Sequence, residues 1–182
     1  MRELSLNILD IVTNSIEAES SRVILVIQED HKKDSLTIRI RDNGRGMDEE
    51  LVAKVRDPFV TTRKTRPVGM GISLLHQLAL QSNGELDIWS ELGTGTEISV
   101  RFRLHSFNRP PLGDIAGTLL NLMISTLDVH FVYIHTVNEN RFSFDSYWLL
   151  ARLAETDRSL YSMVEPAKKH INDHLKAMGT RA

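Results

Sequence analysis

Residues 10–18 read DIVTNSIEA, and three further short segments follow them in a fixed order along the chain. These are DNGRGM at residues 42–47, GMGISL at residues 69–74 and GTGT at residues 93–96. A lone Gly-x-Gly pattern occurs by chance in many proteins, so each glycine-rich segment is weak when taken alone. The ordered set, placed among helix-like and strand-like stretches, predicts a pocket for a nucleotide.

The first segment is predicted to lie on a helix, because the apolar residues Leu4, Ile8 and Ile11 recur at helical spacing. Asp10 and Asn14 are four residues apart, so both side chains share one face of that helix. A carboxylate and an amide oxygen directed at one point suit a hydrated Mg²⁺ and the water that attacks a phosphate. The alternative is that both residues are polar side chains on a solvated face.

Asp42 comes directly after an alternating apolar run at residues 36–40, which predicts a strand that ends at the carboxylate. An ionised carboxylate only accepts hydrogen bonds, so it pairs with the exocyclic amine of adenine and rejects the carbonyl of guanine. Gly44 and Gly46 then allow backbone angles and a close approach that side chains would block. The alternative is an ordinary Asp-Asn-Gly turn.

Gly69 and Gly71 open a second predicted helix, which continues over residues 72–81. Unpaired N–H groups and the positive end of the helix dipole favour anions, so this turn is placed to hold phosphates. Arg63 and Lys64, in the segment just before it, supply cations for the same purpose. The alternative is that these basic residues serve only solubility.

The ordered set resembles the N, G1, G2 and G3 boxes of the GHKL ATP-binding superfamily, and residues 57–62 (DPFVTT) resemble its F box. This superfamily contains gyrase-type topoisomerases, heat-shock chaperones of the ninety-kilodalton class, histidine kinases and MutL mismatch-repair proteins. The resemblance covers residues 3 to 104 and implies ATP and Mg²⁺ as ligands. It also implies a lid over the ATP, which is short here because only ten positions separate Phe59 from Gly69.

The resemblance further implies roles for individual residues. Asn14 is expected to ligate Mg²⁺ through its side-chain oxygen, and Asp42 is expected to recognise adenine. Thr96 is expected to contact adenine, often together with Asp42 through a water molecule. Asp10 stands where hydrolytic members carry a glutamate general base and where histidine kinases often carry asparagine. Asp10 can accept a proton, but its side chain is one methylene shorter than that of glutamate.

Three functions remain open on this pattern. The first is an ATPase switch, in which Mg-ATP orders the lid and changes how the protein meets a partner. The second is a protein kinase that acts in trans on a His, Ser or Thr, because the first box begins close to Met1 and leaves no room for a phosphoacceptor helix pair. The third is a non-hydrolysing adenine-nucleotide sensor. Asp10 favours the first function over the third, while the short lid and residues 57–59 are more kinase-like.

Composition narrows the choice of partners and compartment. The chain has 22 Lys and Arg against 24 Asp and Glu, so it lacks the basic excess that nucleic-acid binding requires. It has no cysteine, which excludes disulfides, thiol catalysis and Cys-ligated metals. No apolar run has the length of a membrane span, and no signal peptide opens the chain. We therefore expect a soluble, cytoplasmic protein without a membrane or nucleic-acid partner.

The order of helix, strands, lid, helix and strands predicts an α/β fold, a two-layer sandwich with helices on one face of a mixed sheet. Pro110 and Pro111 interrupt this pattern, so we place a boundary near residue 108. Residues 1–107 are then the ATP-binding domain, and residues 108–182 form a C-terminal α/β annex.

The annex is predicted to contain helices near residues 112–126, 147–155 and 163–178, and strands near residues 129–137 and 141–144. It carries no motif with a chemical mechanism attached. We expect it to provide the surface for a protein partner or for a second copy of the chain in a homodimer.

Overall fold

The computed structural model describes residues 3–55, 71–155 and 159–181. Within these ranges the strands are β1 (Arg22–Asp30), β2 (Ser35–Asp42), β3 (Glu85–Glu91), β4 (Gly95–Arg103), β5 (His130–Val137) and β6 (Asn140–Asp145). The helices are α1 (Leu4–Glu17), α2 (Glu49–Lys54), α3 (Gly71–Gln81), α4 (Ile115–Ser125), α5 (Ser146–Ala154) and α6 (Val164–Met178). A 3₁₀ turn at Leu160–Met163 leads into α6.

The six strands form one mixed sheet in the order β3-β4-β2-β1-β5-β6. Neighbouring strands are antiparallel except for β1 and β5, which run parallel. This architecture confirms the predicted α/β fold with a mixed sheet. Asp42, the last residue of β2, is paired with Thr96 near the start of β4.

Burial alternates along the central strands, as expected when helices cover one face of a sheet. In β1 the residues Val23, Leu25 and Ile27 are buried, and the residues between them are only partly buried. Helix α1 turns the apolar stripe that includes Leu4 and Ile8 into the same core, where both side chains are fully buried.

The C-terminal segment continues this sheet and does not build a sheet of its own. Strand β5 pairs with β1 over eight residues, and β6 follows as the edge strand. The predicted helices and strands of the segment are present within a few residues of their expected bounds, as α4, β5, β6, α5 and α6. The boundary near residue 108 lies in the connection between β4 and α4, and the division into two functional units stays a prediction.

None of the helices, over the residues that the structure describes, combines the length and the apolar character that a membrane span needs.

Candidate functional site

A cleft of about 250 Å³ lies between α1, the ends of β2 and β4, and the region of α2 and the start of α3. Four of the predicted site residues line it together, namely Asn14, Asp42, Gly46 and Thr96. Apolar side chains form much of the remaining wall, among them Ile11, Met47, Leu51, Val55, Ile72 and Ile98, and the polar residues Ser15, Glu17 and Arg45 also line the cleft. Apolar side chains together with the Asp42 carboxylate suit a mostly apolar ring that carries a hydrogen-bond donor.

Asp42 is held in place by two hydrogen-bond donors. The hydroxyl of Ser15 donates to Asp42 Oδ2 at 2.7 Å, and the N–H of Gly44 donates to Oδ1 at 2.9 Å. Each oxygen of an ionised carboxylate can accept about two hydrogen bonds, so each retains accepting capacity. Asp42 is therefore a fixed acceptor at the wall of the cleft.

Ser15 is a site residue that the sequence analysis missed. It is buried and contacts Asp42 across 27 positions of sequence. In the sequence it continues the small and apolar stripe of α1, which favours core packing as its role. Only the spatial approach of α1 to the end of β2 shows that the hydroxyl orients the carboxylate.

Thr96 belongs to a second hydrogen-bonded group beside Asp42. Ser90 Oγ accepts from the N–H of Met47 at 2.8 Å and donates to the carbonyl oxygen of Gly95 at 3.0 Å. This leaves the Thr96 hydroxyl as the donor in the 2.8 Å bond between Thr96 and Ser90. The Thr96 oxygen then keeps its lone pairs for a ligand or a water, which is compatible with the role that the family resemblance implies.

Glycine is required at Gly44 and Gly46 because backbone groups approach closely. A Cβ atom at Gly44 would lie 2.7 Å from the carbonyl oxygen of Ala18, at the end of α1. A Cβ atom at Gly46 would lie 2.0 Å from the carbonyl oxygen of Glu91, and the φ angle of Gly46 is +68°. These contacts bring the loop after β2 against both α1 and the β3–β4 hairpin, which closes one end of the cleft.

The same crowding yields a prediction for Gly95. We expect Gly95→Ala to lower the free energy of unfolding by about 3 kcal/mol or more. The new Cβ would lie 2.1 Å from the carbonyl oxygen of Asp42, and φ at this position is +124°. Urea unfolding of the variant measures the loss.

Gly93→Ala is the matched control for this prediction. Gly93 also has a positive φ, +76°, but nothing lies within 4 Å of its Cβ position. Its substitution should cost only the roughly 1–2 kcal/mol of a side chain in the left-handed region. Equal losses for the two variants would show that the contact with Asp42 is unimportant.

Asp10 and Asn14 differ in their surroundings. Asn14 lines the cleft, whereas Asp10 lies against the start of α3. A Cβ atom at Gly71 would be only 3.1 Å from Asp10 Cβ, so glycine lets α3 begin next to this carboxylate. The structure thus places Asp10 against Gly71 at the start of α3, one helical turn before Asn14.

The remaining predicted residues, Arg63, Lys64 and Gly69, lie outside the described residues, as do residues 57–62. Arg45 was not singled out from the sequence, and it is the basic residue in the lining of the cleft within the described part of the chain. Both main-chain groups of Arg45 are hydrogen-bonded to neighbouring segments. The N–H of Arg45 donates to Ala18 O at 2.9 Å, and its carbonyl oxygen accepts from Gly93 N–H at 2.8 Å.

Comparison with known families identifies this arrangement. The sequence profile of the family described as histidine kinase-, DNA gyrase B-, and HSP90-like ATPase matches residues 2–106. The chain belongs to this family. The match confirms the GHKL resemblance and includes every residue that was predicted for the site.

Curated relatives of this ATPase family align with the same part of the chain. A putative sensor protein of Shewanella frigidimarina is 31% identical over 99 residues, which are 53% of this chain and 15% of that protein. A putative NtrY-like sensor histidine kinase of Rickettsia prowazekii is 30% identical over 104 residues, 57% of this chain and 17% of that protein. Sporulation kinase C of Bacillus subtilis is 30% identical over 98 residues, 54% of this chain and 23% of that protein. The chain therefore spans less than a quarter of the length of these relatives.

A solved structure resembles a longer part of this ATPase-family chain. The N-terminal domain of a DNA repair protein covers 79% of this chain and 52% of its own, with a TM-score of 0.57 and 15% identity. That coverage exceeds the range of the family profile, so the likeness in fold extends into the C-terminal segment. At this identity the likeness concerns the fold alone.

Proposed function

We propose that the chain binds ATP with Mg²⁺ in the cleft between α1 and the ends of β2 and β4, and that it hydrolyses ATP as a conformational switch. The observation that carries the proposal is the Asp42 carboxylate, fixed by Ser15 and Gly44 at the wall of a cleft that apolar side chains also line. The family match over residues 2–106 supports the choice of ATP as the ligand.

Adenine recognition follows from the direction of the hydrogen bonds at Asp42. Its two oxygens already accept from Ser15 and Gly44, which orients their remaining lone pairs. The exocyclic amine of adenine can donate to them, while guanine presents a carbonyl oxygen that an ionised carboxylate repels. Thr96, with its hydroxyl hydrogen directed at Ser90, is placed to accept from a water or from the base.

The phosphates are assigned to the other end of the cleft. The side-chain oxygen of Asn14 fits Mg²⁺, which binds through one or two protein oxygens together with phosphates and waters. The bound ion would neutralise charge on the phosphate oxygens. The N-terminus of α3 beginning near Gly71, with Gly69, Arg63 and Lys64, would supply N–H groups and cations to the phosphates.

Asp10 is assigned the role of general base. It lies on α1 one turn before Asn14 and against the start of α3, so it is close to the proposed position of the terminal phosphate. In the proposed step Asp10 takes a proton from water, the water oxygen bonds to the γ-phosphorus, and the bond to the ADP oxygen breaks. ADP leaves with the electron pair of that bond.

A second candidate function is phosphoryl transfer to a His, Ser or Thr of another chain. The names of two relatives, a sensor histidine kinase and a sporulation kinase, favour it. A non-hydrolysing nucleotide sensor is the third candidate. In each case the segment 108–182 is proposed as the surface for a protein partner or for a second copy of the chain.

Following γ-labelled ATP and Mg²⁺ with the protein, alone and in cell extract, separates these functions. Free labelled phosphate from the protein alone supports the ATPase. Label on an extract protein supports the kinase, and acid lability of that bond distinguishes phosphohistidine from phosphoserine or phosphothreonine. Bound ATP with no label moved in either mixture supports the sensor, and failure to bind ATP overturns all three.

The Mg²⁺ assignment gives a separate prediction. We expect Asn14→Ala to bind ATP without Mg²⁺ as the wild type does, but to lose the gain in affinity that Mg²⁺ provides. Calorimetric titration with ATP, in Mg²⁺ and in EDTA, measures both quantities. Asn172→Ala, an exposed position on α6, is the control and should behave as the wild type. A full Mg²⁺ effect in Asn14→Ala would remove Asn14 as the ligand.

A further inference from the structure

A charged side chain is fully buried far from the nucleotide cleft. Glu29 lies near the end of β1, on the strand face that points into the core, and its side chain has no exposed surface. His135 on β5 donates from Nε2 to Glu29 Oε1 at 2.9 Å, and the Tyr133 hydroxyl lies 2.7 Å from His135 Nδ1. His135 and Tyr133 are fully buried as well. A buried carboxylate of this kind needs several donors, because an unpaired charge in the core is costly.

Further donors come from residues 179–181, which follow α6, and His31 Nε2 lies 3.4 Å from Glu29 Oε2. Gly179 ends the helix with a left-handed φ of +75°, and the chain then turns toward β1. The Thr180 hydroxyl donates to Glu29 Oε1, and the main-chain N–H of Arg181 donates to Oε2 at 2.8 Å. We call these two hydrogen bonds the tail contact.

The tail contact changes the titration of Glu29. Burial alone would raise the pKa of this carboxyl, but the hydrogen bonds from His135, Thr180 and Arg181 outweigh it and lower the pKa to about 2. A lowered pKa in the folded state means that this stabilisation is present above pH 4.5 and is lost as the pH falls toward 2. At neutral pH Glu29 therefore stays charged and continues to hold residues 180–181.

Arg109 links residues 180–181, called the tail below, to the connection between β4 and α4. Its guanidinium donates to the carbonyl oxygens of Leu104 at 2.8 Å and Pro110 at 2.9 Å. It also reaches the carbonyl oxygen of Arg181 at 3.5 Å. The tail is thus tied both to β1 and to the segment that leads into α4.

The connection between β4 and α4 in turn fixes the start of α1, the helix that carries Asn14. The N–H groups of Leu4 and Ser5 have no partner within their own helix, and they donate to the carbonyl oxygens of Pro111 and Leu112 at 2.9 Å each. No side chain caps this helix end. The position of α1, which carries Asn14, Ser15 and the proposed base, therefore depends on the chain at 111–112.

Helix α6 is also linked to the start of α4, through the ion pair between Lys168 and Asp114. Asp114 accepts from the N–H of Gly117 at 3.0 Å and so caps α4, and it also pairs with Lys168 of α6 at 2.6 Å. The N–H of Asp114 donates to Glu3, the residue before α1, at 3.3 Å. The contacts form one continuous path from the tail through α6 and Asp114 to the first turn of α1.

We propose that the tail contact is a conformational control point. When residues 180–181 are hydrogen-bonded to Glu29, α6 and the start of α1 are held in place, and release of these residues loosens the nucleotide cleft. Coupling of this kind is reciprocal, so a nucleotide that orders α1 would also hold residues 180–181 more firmly on Glu29. A partner that engages α6 or the tail would then change the affinity for nucleotide without touching the cleft.

The test uses two substitutions at one position. Arg181→Pro removes the N–H donor of the tail contact, whereas Arg181→Ala retains it and removes only an exposed side chain. Hydrogen exchange is followed by mass spectrometry in peptides that cover α6 and residues 3–12. We expect Arg181→Pro to speed exchange in both regions on the order of tenfold and Arg181→Ala to leave it unchanged.

Faster exchange confined to residues 179–181 in Arg181→Pro would overturn the proposal, because the tail would then fray without consequence for α1. Thr180→Val and Thr180→Ser provide a milder pair, in which only serine keeps the hydroxyl donor to Glu29. If Arg181→Pro does not fold, these two Thr180 variants test whether the tail contact controls exchange in α6 and α1. Valine should reproduce the faster exchange in α6 and α1, and serine should not.

A second readout rests on the proposed function. The dissociation constant for ATP should rise about fivefold in Arg181→Pro and remain that of the wild type in Arg181→Ala. Changed exchange in α1 with unchanged ATP affinity would overturn the link to the cleft. If the wild type binds no ATP, the proposed function fails, while the exchange measurements still decide whether the tail controls α1.

Discussion

Asp42→Asn is expected to abolish useful ATP binding. The substitution removes a charge and places an amide donor where the carboxylate accepted from adenine, so donor would face donor. The expected cost is roughly 2–4 kcal/mol, which weakens affinity about 30- to 700-fold. Calorimetric titration with Mg-ATP measures it directly.

The fold should survive this substitution because both local partners of Asp42 can be satisfied by asparagine. The amide oxygen can accept from Gly44 N–H in place of Oδ1. The Ser15 hydroxyl can reverse, accept from the amide nitrogen and donate to the carbonyl oxygen of Ile11, which is 3.4 Å away. A loss of binding with an unchanged unfolding midpoint would therefore report on the ligand and not on stability.

Asp48→Asn is the matched control for Asp42→Asn. Asp48 is exposed, lies in the same loop and accepts from Leu51 N–H at 2.8 Å to cap α2. Asparagine caps helices as well as aspartate does, so this variant should keep the affinity of the wild type. If Asp42→Asn also binds ATP with unchanged affinity, the assignment of adenine to this wall of the cleft is wrong.

Asp10→Asn carries the second large expected effect, on the rate of hydrolysis. Asparagine has nearly the same shape and cannot take a proton, so the rate of phosphate release should fall about 10²- to 10⁴-fold. The affinity for ATP should stay within about twofold of the wild type, because the base acts on the water and not on the bound nucleotide. Single-turnover release of labelled phosphate, measured with saturating protein, separates the two quantities.

Asp10→Glu is the companion variant, since it keeps a carboxylate and extends it by one methylene. It should retain hydrolysis, and a faster rate would indicate that Asp10 reaches the water only with difficulty. Hydrolysis by Asp10→Asn at the rate of the wild type would exclude Asp10 as the base. In that event the carboxylate beside Gly71 would have a structural role at the start of α3.

The local parts of the structure could be predicted from the sequence because they depend on short-range patterns. Helical spacing of apolar residues gave α1, and alternation gave β2 with Asp42 at its last position. The second predicted helix, residues 72–81, corresponds to α3 at Gly71–Gln81. The ordered boxes also led to the right family, because their spacing reflects one shared cleft.

The parts that the sequence did not predict depend on pairings between distant residues. The Ser15 hydroxyl meets Asp42 across 27 positions, and Glu29 meets His135 across 106 positions and the Arg181 N–H across 152. Strand alternation can place Glu29 on the inner face of β1, but it cannot name the donors that satisfy the charge. The parallel pairing of β5 with β1 was missed for the same reason, since a parallel neighbour need not be close in sequence.

The central claim is that the cleft at Asp42 selects adenine, and titration of the wild-type protein with ATP and with GTP, both in Mg²⁺, tests it most directly. Isothermal calorimetry gives both dissociation constants under identical conditions. We predict that ATP binds and that GTP binds at least about 100-fold more weakly, because the fixed carboxylate repels the guanine carbonyl. Equal affinities for the two nucleotides, or no binding of either, would contradict the account.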